Sequence, residues 1–67
     1  MITVYVNGAP RQLTDSCSIA ALIEELGHTG RRIALERNGD IVPRSLYAEC
    51  VLNDGDKLEI VVAVGGG

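Results

Sequence analysis

Only one stretch of this 67-residue chain repeats with the period of an amphipathic helix, and that limits the fold more than any other feature. Ile19, Leu22, Ile23 and Leu26 fall at i, i+3, i+4 and i+7, with Glu24 and Glu25 on the opposite face. Ser18 stands where an N-cap belongs, and Gly27 where the helix must stop. A lone helix has no second helix on which to bury its stripe, so it must lie on a sheet.

The rest of the chain supplies the strands. Ile2, Val4 and Val6 alternate with Thr3 and Tyr5, the period of a half-buried strand. Asn7-Gly8 is a hairpin signal. Ala9-Pro10 is expected to extend that bend, with Arg11–Thr14 returning as the second strand. Residues 28–32 read as a polar linker. Ile33–Arg37 reads as a third strand, Asn38-Gly39-Asp40 as a turn, and Ile41-Val42 as a short returning strand that Pro43 ends. Ser45–Ala48 has room for one helical turn, and Asn53–Asp56 is a third turn signal. Lys57–Val64 is the last and strongest strand. It is expected beside the first, with the helix over one face. The link from the second strand through the helix to the third then crosses over. The expected architecture is α+β: a single domain, residues 1–67, with a mixed sheet of four to five strands wrapped around one main helix, the β-grasp arrangement.

Composition excludes several function classes. Nine acidic residues against six basic ones give a net charge of −3. With no basic stripe and no aromatic platform, the pattern argues against a nucleic-acid partner and for a basic protein surface as partner. Cys17 and Cys50 are too few for the disulfide framework of a small secreted domain. Both read as reduced, inert packing residues, since neither lies in a Cys-x-x-Cys motif or beside an obvious cation. Met1–Val4 opens a strand rather than a signal peptide, and no run approaches the ~20 apolar residues of a membrane helix. The expected location is cytosolic, with no membrane association.

The final residues, Val62-Ala63-Val64-Gly65-Gly66-Gly67, carry the functional signal. Three glycines directly after a strand have no Cβ atoms, so they can enter a narrow slot and bring main chain close to a ligand. Read as a terminus, Gly67 bears a carboxylate with a pKa of about 3.5, anionic at neutral pH. The last strand also departs from strict alternation. Leu58, Ile60, Val62 and Val64 fit a core face, while the other face begins with Lys57 and Glu59 and becomes apolar at Val61 and Ala63. With Tyr5 and Thr3 on a neighbouring strand, these residues form a candidate docking patch at the root of the tail. The competing explanation is that isolated exposed apolar residues are ordinary.

The residues at this point resemble a known family. The β-grasp order, the segment Asn38-Gly39-Asp40-Ile41-Val42-Pro43-Arg44, the turn Asn53-Asp54-Gly55-Asp56 and the terminal glycines are together similar to ThiS, the ubiquitin-like sulfur carrier of bacterial thiamine biosynthesis. The likeness covers the whole chain. A terminal Gly-Gly alone indicates only the wider ubiquitin-like carrier group; the Asn-Gly-x-Ile-Val-Pro-Arg segment narrows it. This chain ends in three glycines where the family typically has two.

The resemblance implies the following chemistry. A ThiF-type adenylyltransferase, similar to ubiquitin-activating enzymes, uses ATP and magnesium to make an acyl-adenylate at Gly67, with Gly65 and Gly66 read by its tail slot. Sulfur from a cysteine-desulfurase or rhodanese relay displaces AMP and leaves a thiocarboxylate. A ThiG-type thiazole synthase then takes the sulfur into the thiazole ring. The carrier itself is expected to bind no cofactor or metal and to be no enzyme. It has no Walker loop, so ATP belongs to the partner. Arg44 follows the Val-Pro step of the matching segment and is a candidate partner contact.

Other residues have simpler explanations. His28 has no second ligand at metal spacing and reads as a loop residue. Asp54 and Asp56 flank Gly55 in a tight turn and lack the further oxygens of a calcium loop. Two alternatives stay open on sequence: a carrier of the same fold for molybdopterin, cysteine or homocysteine synthesis or for protein tagging, and a ubiquitin-like interaction domain with no tail chemistry.

Overall fold

Two Asn-Gly pairs decide where this chain doubles back. In a computed structural model, which describes residues 1–63, Asn7 and Asn38 both have φ of 51°, and Gly8 and Gly39 follow at 86° and 88°. Two successive left-handed residues make the type I′ turn whose twist matches that of paired strands. The first turn joins β1 (Ile2–Val6) to β2 (Ala9–Leu13), and the second joins β3 (Ile33–Arg37) to β4 (Asp40–Ile41).

Because the first turn needs only Asn7 and Gly8, Ala9 and Pro10 are not part of the bend as expected; they open β2. Pro10 pairs with Tyr5 on a strand at the sheet edge, where proline is tolerated.

The last strand, β5 (Lys57–Val62), runs through the middle of the sheet, whose order is β2-β1-β5-β3-β4. It is parallel to β1, with Tyr5 opposite Lys57 and Val6 opposite Leu58. It is antiparallel to β3, with Ile33 opposite Val62 and Arg37 opposite Leu58. The result is a five-stranded mixed sheet around one helix, the β-grasp architecture.

The helix α1 (Ile19–Glu25) is closed at both ends. Ser18 Oγ accepts from the Ala21 N–H at 3.1 Å. The N–H groups of Ile19 and Ala20 donate to the carbonyls of Cys50 and Tyr47, each at 2.9 Å. Those donors have no partner within a helix, so the irregular segment after β4, including a short 3-10 turn at Arg44–Leu46, completes the helix start. At the other end Gly27 has φ of 78°. His28 N–H reaches the Ile23 carbonyl and Gly27 N–H the Glu24 carbonyl, each at 3.0 Å, the paired bonds of a Schellman stop.

Ile19, Leu22 and Ile23 are buried against Val4, Leu13, Leu35, Leu58 and Ile60 of the sheet, with Tyr47 and Leu52 filling the flank. Leu26 is only partly buried. Burying one such side chain is worth ~1.5–3 kcal/mol, against about 1 kcal/mol for the Ser18 cap. The stripe therefore holds the helix, and the caps set its ends.

The start of β5 is pinned by a buried carboxylate. Asp56, 7% exposed, accepts from Arg37 Nε at 3.0 Å and lies 2.8 Å from its Nη2. It also accepts from the Asn53 N–H at 2.8 Å and from Asn38 Nδ2 at 3.1 Å. Burial by itself raises this carboxyl's pKa, but the Asn53 bond, the Asn38 amide and the Arg37 charge outweigh it and hold the group below the ordinary aspartate value. Asp54 Oδ1, beside it, accepts from the Thr3 N–H at 2.7 Å. Both aspartates thus tie the turn before β5 to neighbouring strands. No helix among the described residues is long and apolar enough to cross a membrane.

Candidate functional site

β5 precedes the glycine run, so what holds its final residues defines the candidate site. Val64, Gly65, Gly66 and Gly67 lie outside the described residues. On the β3 side, Val61 and Val62 stand opposite Ala34 and Ile33, and the Ala63 N–H donates to the Arg32 carbonyl at 2.9 Å. Pairing on this side continues to the last described residue.

The β1 side is different. β1 ends at Val6, opposite Leu58. Asn7 then takes over: its N–H donates to the Leu58 carbonyl at 2.8 Å. Its side-chain Oδ1 accepts from the Ile60 N–H at 2.8 Å, and its Nδ2 donates to the Ile60 carbonyl at 3.1 Å. A side-chain amide carries the same donor and acceptor as a peptide group, so Asn7 acts as one further rung of β1. Past Ile60, β5 has no strand on that side among the described residues.

The register also decides which side chains meet. Along β5, Leu58 and Ile60 are buried, while Val61 is 64% exposed on the outer face of the sheet. Tyr5, also exposed, is opposite Lys57. That puts it four residues back from Val61, roughly 13 Å at the rise of a strand. Tyr5 and Val61 are therefore not brought together. Ala34 is Val61's cross-strand partner, and it too is exposed. One step back, Glu36 and Glu59 stand opposite each other, and Ile41 flanks Glu36. The apolar part of the outer face nearest the tail thus comprises Val61, Ala34 and the exposed Ala63. Ala34 was missed in the sequence because only the β3–β5 register brings it to Val61. Its place between Ile33 and Leu35, both turned inward, was the available signal.

Arg44 belongs to a different surface. Its Nη2 donates to the Arg31 carbonyl at 2.7 Å. It lines a cavity shared with Ala20 and Ile23 of the helix, on the other side of the sheet from Val61. The sequence-derived candidates Tyr5, Val61, Ala63 and Arg44 are therefore distributed over two faces.

The cysteines offer no competing chemistry. Burial, and then the nearby Glu25 charge, push the Cys17 thiol up, away from the thiolate that reacts. Cys50 is free and partly buried. Among the described residues, no three His, Cys, Asp or Glu side chains cluster as a metal site.

Comparison with known proteins adds an independent line. The profile of the ThiS family matches residues 4–67. Over 64 residues the chain is 52% identical to a protein of Paramagnetospirillum magneticum named thiazole synthase, covering 96% of this chain and 20% of that relative. It thus spans about a fifth of that protein's length. It is 36% identical over 66 residues to the uncharacterized protein ycf40 of Porphyra purpurea, covering 98% of this chain and 93% of the relative. The crystal structure of the thiamine biosynthesis protein ThiS from Geobacter metallireducens superposes with a TM-score of 0.82 at 26% identity, over 98% of this chain and 100% of that one.

Proposed function

The chain belongs to the ThiS family, and from that premise we propose that it is a sulfur carrier of thiamine biosynthesis whose working group is the carboxylate of Gly67. The observation that carries this reading is the 52% identity to one fifth of a protein named thiazole synthase. A stretch like this chain occurs inside a protein bearing the name of the proposed sulfur acceptor.

The chemistry follows from what a carboxylate cannot do unaided. It is already anionic and resists attack by a nucleophile. A ThiF-type enzyme with ATP and magnesium lets the Gly67 carboxylate attack the α-phosphorus, releasing pyrophosphate and forming an acyl-adenylate. A persulfide on a cysteine-desulfurase or rhodanese relay then attacks the acyl carbon and displaces AMP. A second thiol of that relay cleaves the acyl disulfide so formed, leaving as a disulfide with the relay's first cysteine and releasing the tail's sulfur. The resulting thiocarboxylate passes its sulfur to a ThiG-type thiazole synthase. The carrier is a co-substrate throughout, and ATP and magnesium belong to its partner.

Gly65 and Gly66 give the tail the slim profile that a narrow slot needs. Ordering such a segment costs roughly 1–2 kcal/mol per residue. The exposed pair Val61 and Ala34, with Ala63, offers apolar contact that offsets part of that cost when a partner covers it. Tyr5, farther along the outer face, extends the contact only for a partner broad enough to span the sheet.

The test is intact mass spectrometry after incubation with a ThiF-type enzyme, ATP and a sulfur donor. The expected product is heavier by the difference between one sulfur and one oxygen. Absence of that species, with the enzyme active on another carrier, overturns the proposal.

A further inference from the structure

On the helix side of the sheet, a cavity of about 160 Å³ opens between α1, the loop before β3 and the 3-10 turn. Ile23, His28, Arg31, Ile33, Arg44 and Tyr47 are among the residues that line it. Ile33 is registered against Val62, and Arg32, next to it, holds Ala63 through its carbonyl. The cavity therefore adjoins the end of β5, directly before the glycine run.

Its charge is one-sided. Arg31 and Arg44 line it, and none of its lining residues is acidic. Together with Arg32, these are three of the chain's six basic residues, gathered in a protein that has nine acidic ones. Among the described residues, none of the three takes part in an ion pair. The bond from Arg44 Nη2 to the Arg31 carbonyl at 2.7 Å orients the guanidinium and leaves its other N–H groups to donate elsewhere. His28 Nδ1 is buried and has no hydrogen-bond partner among the described residues.

We infer that this cavity receives the carboxylate of an Asp or Glu side chain from the enzyme that activates the tail. A carboxylate accepts from the fork of a guanidinium. The volume falls below the roughly 300–1,000 Å³ of small-molecule pockets, which suits one side chain rather than a nucleotide. Seated beside Ile33 and Val62, that carboxylate fixes the carrier body in register with the activating site, so that the glycine run enters at a set depth. The inference rests on the reading of the chain as a carrier whose tail is activated by a separate enzyme.

The experiment compares wild type with Arg31→Gln, which keeps the carbonyl that Arg44 uses, in steady-state adenylation by a ThiF-type enzyme. KM for the carrier should rise roughly tenfold, in the range of a rim-to-buried interfacial charge, while kcat and thermal stability hold. Arg44→Glu should be worse, and an acidic-to-arginine change in the enzyme should restore it. Unchanged KM in both variants, with wild type activated normally, overturns the cavity's role and leaves the carrier function standing. A wild type that is never adenylated removes both. Inorganic phosphate that competes with the carrier at low concentration would mark a free-anion site and overturn the protein side chain as occupant; rescue by a partner of the thiazole-synthase kind alone would do the same.

Discussion

Asn7 clasps Ile60 with both ends of its side-chain amide, Oδ1 to the N–H at 2.8 Å and Nδ2 to the carbonyl at 3.1 Å. The same residue holds the left-handed backbone of the first turn, at φ of 51°. One side chain thus ends β1, turns the chain and steadies β5 just before the residues that lead to the tail. Asn7→Ala should lose about 3–4 kcal/mol, from two hydrogen bonds of about 1 kcal/mol each and a left-handed conformation that costs alanine a further ~1–2 kcal/mol. Asn7→Gly keeps the turn and should lose only the hydrogen bonds. Denaturant melts of the two variants separate the contributions; equal stability of wild type and Asn7→Gly would show that the clasp contributes nothing.

Asp56 should make stability depend on acid. Its native pKa is held below the ordinary value, which is about 3.9 in an unfolded chain. A depressed carboxyl stabilises the fold fully above the unfolded value and loses that contribution as pH falls through the native one. Asp56→Asn should cost ~3 kcal/mol near neutral pH, because it leaves Arg37 without its buried partner. The gap between wild type and variant should close as pH drops below about 4. A gap that stays constant with pH would mean the carboxylate's charge is not what stabilises the turn.

Val61→Asp should separate docking from folding. Val61 is 64% exposed, so the substitution should shift stability by no more than about 0.5 kcal/mol. With a ThiF-type enzyme, KM for the carrier should rise roughly tenfold, equivalent to about 1.4 kcal/mol. Tyr5→Ala should have a smaller effect, since the register sets it apart from Val61. The reverse ranking would place the docking surface at the hairpin end of the sheet.

Gly66→Ala should slow adenylation at saturating carrier by roughly tenfold or more, since a small misplacement of a reacting group is costly. The melting temperature should remain that of wild type. A large melting shift with normal activation would assign the glycines to folding instead.

The local signals in this chain were readable because they depend on near neighbours. Ser18, the stripe Ile19, Leu22, Ile23, and Gly27 mark the helix through contacts within one or two turns. Both Asn-Gly turns declare themselves because few residue pairs accept two left-handed conformations. The first of them is two residues shorter than the sequence suggests, since Pro10 looks like part of a bend until the sheet shows it on an edge strand. The family, too, lay in a short run of residues around Asn38–Arg44 and in the glycine ending.

The helix, the turns, the succession of strands along the chain and the family were all legible in the residues themselves, because periodicity and backbone sterics act over a few residues. Which distant side chains meet is settled by the packing of strands and loops that lie far apart in the chain. The β3–β5 register chose Ala34 as Val61's neighbour and kept Tyr5 away. The fold buried Asp56 with Arg37, closed the helix start with carbonyls from Tyr47 and Cys50, and set Arg44 beside Arg31 on the face away from Val61. Each depends on a pairing between segments separated by a loop. A one-residue slip in that pairing sends every side chain to the opposite face, and no pattern within either segment records which slip the sheet adopts.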